Sequence, residues 1–185
     1  MPEEYTTPTT ISERNDRAAL APPRFSGYTS LMSTPIRIRS ATLADAPTLA
    51  QYNAAMALET EHKTLDPNLL TPGVQRAITH AQAARYYLAD IDGQVVGQLM
   101  VTFEWSDWRN ADFWWIQSVY VHPDFRARGV FKYLYQHVEQ LARQAGACGL
   151  RLYVERENTR AQEVYRRLGM TDSGYAVFET DWTKK

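Results

Sequence analysis

Two stretches hold the residues whose types and spacing could do chemistry. The first, VYVHPDFRARGVFKYLY (119–135), passes from alternating apolar residues through a Pro-Asp-Phe corner. It then crosses Arg126-Ala127-Arg128-Gly129 and becomes an amphipathic pattern. Where a strand runs through such a turn into a helix, the first helical amides have no intrahelical partners. Those N–H groups and the positive end of the helix dipole favour a phosphate or pyrophosphate. Gly129 lets the backbone approach closely, and the two arginines add charge. A plain basic surface turn has the same composition, so this stretch alone does not name the anion. The second stretch is Asn158-x-x-Ala161-x-x-x-Tyr165-x-x-x-Gly169-Met170. At helical spacing Ala161 and Tyr165 share one face, with the small alanine leaving room beside the phenol.

The elements that must position these residues are readable from periodicity. IRIRSA (36–41) alternates as a strand, and Thr42-Leu43-Ala44-Asp45 has the pattern of a capped helix start. That helix is expected to run to about Leu58, followed by a loop over 59–70 and a short helix opened by Thr71-Pro72. RYYLA (85–89) and QVVGQLMVTFEW (94–105) read as strands joined by a hairpin turn at Asp90-Ile91-Asp92-Gly93. FWWIQSVYV (113–121) is a fourth strand. Gly129 opens a helix with Phe131, Leu134, Val138, Leu141 and Ala145 at apolar spacing, stopped by Gly146. LRLYVE (150–155) is a fifth strand, Asn158 or Thr159 caps a helix ending at Gly169, and YAVFE (175–179) is a last strand. This mixed order predicts one α/β domain, of α+β character, over 35–185 with a mostly antiparallel sheet.

The chain as a whole narrows the field. Its 185 residues suit one domain with an appendage, and 44% hydrophobic with 22% charged residues is ordinary for a globular protein. A net charge of −1 gives no reason to expect nucleic-acid binding. No apolar run is long enough for a membrane helix, and the acidic start is unlike a secretory signal. The single Cys148 excludes an intrachain disulfide, as in a reducing cytoplasm. One cysteine and histidines at 62, 80, 122 and 137 offer no metal-ligand spacing, and neither the P-loop nor the Gly-x-Gly-x-x-Gly pattern is present. Residues 1–34, rich in Pro, Thr, Ser and charge, are expected to be a flexible tail. Met32 before the first strand is expected to be an alternative start; solubility and activity of a chain begun there check this.

Taken together, Val119-Tyr120-Val121, Pro123, Phe125, Arg126-x-x-Gly129 and Asn158-x-x-Ala161-x-x-x-Tyr165 resemble the GNAT superfamily of acyl-CoA-dependent N-acetyltransferases. The resemblance spans roughly residues 36–180. It implies a twisted mixed sheet, splayed between its fourth and fifth strands, with helices on both faces. It implies acetyl-CoA as cofactor, with the pantetheine arm along the backbone of Val119, Tyr120 and Val121. The pyrophosphate would lie on the turn and helix start formed by Arg126, Ala127, Arg128, Gly129, Val130 and Phe131. Asn158 and Ala161 would contact the cofactor arm, and Tyr165 would stand near the thioester sulfur. Phe131 departs from the family pattern, which has Gly or Ala there; its ring must turn into the core to keep clear of the cofactor. Dimers are frequent in the family, so a homodimer is expected.

The resemblance also sets the roles. A primary amine attacks the thioester directly, and with a pKa of about 10 only about one amine in 300 is neutral at pH 7.5, a cost of about 3.4 kcal/mol. Tyr165 is expected to protonate the departing thiolate, and the Val119 amide to stabilise the oxyanion. Many members carry a Glu or His base where this chain has Trp115 or Gln117. The nearest carboxylate on the polar side of the third strand, close to Trp115 across a hairpin, is Glu104, expected as base through a water. Phe103, Trp114 and Trp115 suggest a closed aromatic pocket, rimmed by Glu59, Glu61 and Glu104 with His62 nearby. Trp115 and Gln117 would line it, for a cationic small-molecule amine such as a polyamine or amino acid. A protein lysine or N-terminal acetyltransferase and a catalytically weak acyl-CoA-binding module are the competing readings.

Overall fold

The structure, a computed structural model, describes residues 35–182. The expected tail at 1–34 lies outside them. The described residues build five strands and four helices around one sheet. β1 (Arg37–Ser40) leads through a 3-10 turn into α1 (Ala46–Glu61) and α2 (Pro67–Thr79). A meander follows: β2 (Ala84–Ile91), β3 (Gln94–Ser106) and β4 (Ala111–Val121). Then come α3 (Val130–Gln144), β5 (Gly149–Arg151) and α4 (Thr159–Arg167). The strand order is β1-β2-β3-β4-β5, with every pair antiparallel except β4 and β5. This is the expected mixed, mostly antiparallel fold.

Strand alternation assigns the two faces. Tyr87, Ala89, Leu99, Val101, Trp114 and Ile116 point one way and close over Val130, Leu134 and Val138 of α3. Tyr86, Leu88 and Met100 point the other way and meet Leu49 of α1 and Val74 of α2. Burial of these side chains on both faces is the main force holding the layers together.

Local chemistry explains the helix starts. The Asp45 carboxylate accepts from the Thr42 amide at 2.8 Å and from Arg39 at 2.8 and 2.9 Å, tying the start of α1 to β1. Arg39 holds the Asp45 carboxyl well below the usual range, at about 2. The second helix begins earlier than Thr71-Pro72 suggests. Asp66 caps it by accepting from the Asn68 amide at 2.8 Å, Pro67 occupies its first turn, and Pro72 lies within it. The Asp92-Gly93 turn takes positive φ at both residues (53° and 80°), which matches the twist of a two-residue hairpin.

The C-terminal strands depart from expectation. β5 stops at Arg151 rather than 155, and 175–179 forms no strand. Tyr175, Val177 and Phe178 are 79%, 71% and 94% exposed, and none of the described strands pairs with them.

Candidate active site

β4 is paired with β5 over only three positions, Phe113 with Gly149, Trp114 with Leu150 and Trp115 with Arg151. Beyond Trp115, β4 continues to Val121 while the chain after Arg151 leaves the sheet, so the two diverge into a splay. In the same half of β4 the pairing with β3 slips: Gln98 faces Tyr120 but Met100 faces Gln117. Ser118 and Val119 therefore oppose a single residue, and Ser118 takes a left-handed φ of 50°. Such a bulge bends a strand and interrupts its ladder.

The far end of the splay meets the start of α3. Ala127 and Gly129 adopt φ of 62° and 79°, and Gly129 is the N-cap of a helix with no side-chain cap. A Cβ added to Gly129 would meet only the Tyr133 ring, at 3.9 Å, so the approach to the helix start is open. Gly97 of β3 sets its height: a Cβ there would stand 2.9 Å from Val130 Cγ1. The first turn of α3 rests on bare backbone at that point.

α4 closes the site from the other side. The Asn158 side chain caps it, its Oδ1 accepting from the Ala161 amide at 3.0 Å. Ala161 and Tyr165 fall on its inward face. The Tyr165 and Phe131 rings meet edge to face, with centroids 5.7 Å apart and planes at 70°. Phe131 thus turns toward the core and α4, as its place in the helix start requires. Burial pushes the Tyr165 phenol up.

Several other expected site residues hold partners in the structure. The Arg126 guanidinium donates to Glu59 at 2.7 Å and to the Val121 carbonyl at 2.9 Å. Arg128 lies over the Phe125 ring at 5.1 Å. The Tyr120 side chain packs on Tyr52, centroids 4.9 Å apart, and donates to Glu59 at 3.1 Å, so only its backbone borders the splay. Glu61 pairs with Lys63. His62 closes α1 in the left-handed region, with φ of 53°.

The tryptophans do not gather into one pocket. Phe103 and Trp114 stack edge to face, 5.2 Å apart, in the core on the α3 side. Trp105 and Trp108 are exposed. Trp115 alone reaches the opposite face near the splay, where its indole donates to Glu104. Arg151 also donates to Glu104, at 3.0 and 3.1 Å, and lies 3.7 Å from the Phe113 ring centroid. The Trp115 indole, followed by Arg151, holds the Glu104 carboxyl below its usual range. Gln117 donates to the Thr102 hydroxyl at 2.7 Å. Sequence reasoning missed Arg151, since its place beside Glu104 depends on the β4–β5 register. It also missed a buried relay from the bulge: Gln98 donates to the Ser118 carbonyl at 3.2 Å and to Asn53 at 2.6 Å, and Asn53 donates to Tyr86 at 3.0 Å. The one available signal was a glutamine in the middle of an apolar strand.

A splayed parallel pair, a strand bulge, an uncapped helix start and an inward tyrosine meet at this site. The sequence model of the acetyltransferase (GNAT) family matches residues 50–170. The chain belongs to that family. It is 32% identical over 78 residues to a thialysine N-epsilon-acetyltransferase of Bos taurus, covering 42% of this chain and 45% of that protein. The chain thus spans less than half the length of the curated relatives it matches. A possible acetyltransferase from Clostridium difficile 630 shares 40% identity at a TM-score of 0.74, covering 79% of this chain and 97% of the other. A predicted acetyltransferase from Clostridium acetobutylicum, solved with acetyl-CoA, shares the fold at a TM-score of 0.66 and 14% identity, covering 82% and 99%.

Proposed function

We propose that this protein transfers an acetyl group from acetyl-CoA to the primary amine of a small molecule. The observation that carries this reading is the uncapped start of α3 at the mouth of the β4–β5 splay, with Tyr165 packed on its first turn. The residues fit the cofactor. The amides of Val130, Phe131 and Lys132 would hold the pyrophosphate, and the backbone of Val119 and Val121 the pantetheine arm. The Asn158 side-chain nitrogen is assigned to the arm as well, since its oxygen is used as the helix cap. When bound, acetyl-CoA supplies a thioester carbonyl open to attack.

The chain's own groups then divide the work. Tyr165 keeps its proton at neutral pH, because burial raises a pKa already near 10, and it can deliver that proton to a departing sulfur. The Val119 amide is assigned to the developing oxyanion. Of the two roles open to Glu104, orienting the amine suits it better than taking its proton, because a carboxylate held by an indole and a guanidinium is a weak base. The amine then reacts in its minor neutral form, and kcat/KM rises with pH from 7 toward 10. A cytoplasmic homodimer belongs to the same reading; sedimentation checks the assembly.

The test is CoA release from acetyl-CoA across a panel of amines. Turnover with a primary amine and none with a tertiary one is expected. Tight CoA binding without turnover on any amine or peptide would instead make the protein an acyl-CoA-binding module.

A further inference from the structure

The middle of β3 carries a polar residue where the strand is otherwise apolar. Gln98 is fully buried there, and Asn53 of α1 and Tyr86 of β2 are buried beside it. The Gln98 amide uses both of its hydrogens: Nε2 donates to Asn53 Oδ1 at 2.6 Å and to the Ser118 carbonyl at 3.2 Å. Asn53 in turn donates to the Tyr86 hydroxyl at 3.0 Å. A carbonyl can only accept, so the Ser118 oxygen fixes which way round the Gln98 amide sits. Gln98 Oε1, buried as well, has no hydrogen-bond partner among the described residues. An unmet buried acceptor offsets much of what the two donated bonds return. The arrangement therefore adds little stability; what it does is hold the Ser118 carbonyl.

That carbonyl and the Val119 N–H belong to one peptide unit, and no cis peptide occurs among the described residues. In a planar trans unit the two groups point in opposite directions. Holding the carbonyl toward Gln98 thus fixes the Val119 N–H on the side away from Gln98. The unit lies in the bulge, where Ser118 and Val119 oppose a single residue and Ser118 takes φ of 50°. A serine keeps that conformation only where its surroundings hold it. The ladder is interrupted at a bulge, and here a side chain from β3 supplies the hold. A hydrogen bond accepted by the carbonyl also polarises the unit and strengthens its N–H as a donor.

We infer that Gln98, oriented by Asn53 and Tyr86, is the positioning residue for the Val119 amide, the donor assigned above to the developing oxyanion. The inference rests on the acetyltransferase reading, and its test separates the two. Gln98→Met keeps the length of the side chain and loses its donors; Asn53→Leu is made alone and together with it. Gln98→Met is expected to lower kcat at least about tenfold, with KM for the amine and CoA affinity unchanged, because the oxyanion forms only in the transition state. The double variant removes both partners of the Gln98–Asn53 bond. In chemical denaturation it is expected to regain stability lost by Gln98→Met, but not the lost kcat. Recovery of kcat together with stability, or no loss of kcat at all, makes Gln98 a packing residue and overturns the inference.

A second readout needs no acceptor. Acetyl-CoA carrying carbon-13 at its acetyl carbonyl is followed by infrared spectroscopy. A donated hydrogen bond weakens the C=O bond, so the stretch is expected to fall in frequency on binding to the wild type, and Gln98→Met loses most of that fall. Should Gln98→Met fail to fold, the double variant carries both measurements. An equal fall in wild type and variant overturns the inference while turnover of amines leaves the acetyltransferase reading intact. Failure to bind acetyl-CoA overturns both.

Discussion

The four helices among the described residues do not all begin in the same way. α2 and α4 each start on a side chain that accepts from an amide of their own first turn, Asp66 from Asn68 and Asn158 from Ala161, while α1 continues from a 3-10 turn held by the Thr42–Asp45 capping box. α3 starts on Gly129 in the left-handed region, with no side-chain cap. A cap is worth about 1 kcal/mol to a helix, and α2 and α4 take it directly. α3 has neither a side-chain cap nor a capped turn running directly into it, and it is the one at the splay. On the proposed function, the difference separates helix starts that serve folding from the one that serves binding. α4 combines the two, because its cap fixes the helix that carries Tyr165.

Substitutions can break this division. The largest expected effect is on chemistry: Tyr165→Phe lowers kcat about a hundredfold, about 2.7 kcal/mol, with CoA affinity unchanged. In the wild type no falling limb is expected in the pH–rate profile below pH 10, because burial moves the Tyr165 pKa upward. On the proposed function, in which Glu104 orients the amine, Glu104→Gln leaves the shape of that profile unchanged.

Next comes the capped start of α1. Asp45→Asn is expected to lower stability by about 2 kcal/mol near neutral pH through loss of charged hydrogen bonds, read by chemical denaturation. The Asp45 pKa is depressed in the folded state, so its contribution is present above the unfolded carboxyl's pKa of about 4. It disappears as pH falls to about 2, where wild type and variant converge.

The open start of α3 responds in the opposite sense. Gly129→Asp, which tolerates a left-handed φ better than most residues, places a negative charge at the helix mouth. It is expected to weaken CoA binding about tenfold in calorimetry, whereas Gly129→Asn weakens it less. The smallest effect is at α4, where Asn158→Ala costs about 1 kcal/mol of stability. If Asn158→Ala altered kcat more than Tyr165→Phe did, the division between cap and catalyst would be wrong.

Most of this division was legible in the sequence. Apolar alternation located the meander to within a residue or two, and Gly129 with Arg126 and Arg128 marked the helix start. Even the approach of Glu104 to Trp115 follows from strand alternation across a hairpin. What escaped was set by tertiary register. The Arg126 guanidinium pairs with Glu59, which lies 67 positions earlier and reaches it only when α1 packs beside β4. Trp114 and Trp115 are adjacent in sequence yet serve opposite faces of the sheet, so clustering in the chain did not mean clustering in space. The second helix was misplaced because two prolines, Pro67 and Pro72, both suit a first turn, and only Asp66 one position ahead distinguishes them. The stretch 175–179 alternates as a strand should, but alternation cannot supply the neighbour that a ladder needs.

The most direct test of the central claim is a crystal structure with CoA bound. Pyrophosphate oxygens within about 3 Å of the Val130, Phe131 and Lys132 amides, with the sulfur beside the Tyr165 hydroxyl, are the expected result. A pyrophosphate bound away from α3, or a sulfur on the far side of β4 from Tyr165, would contradict it.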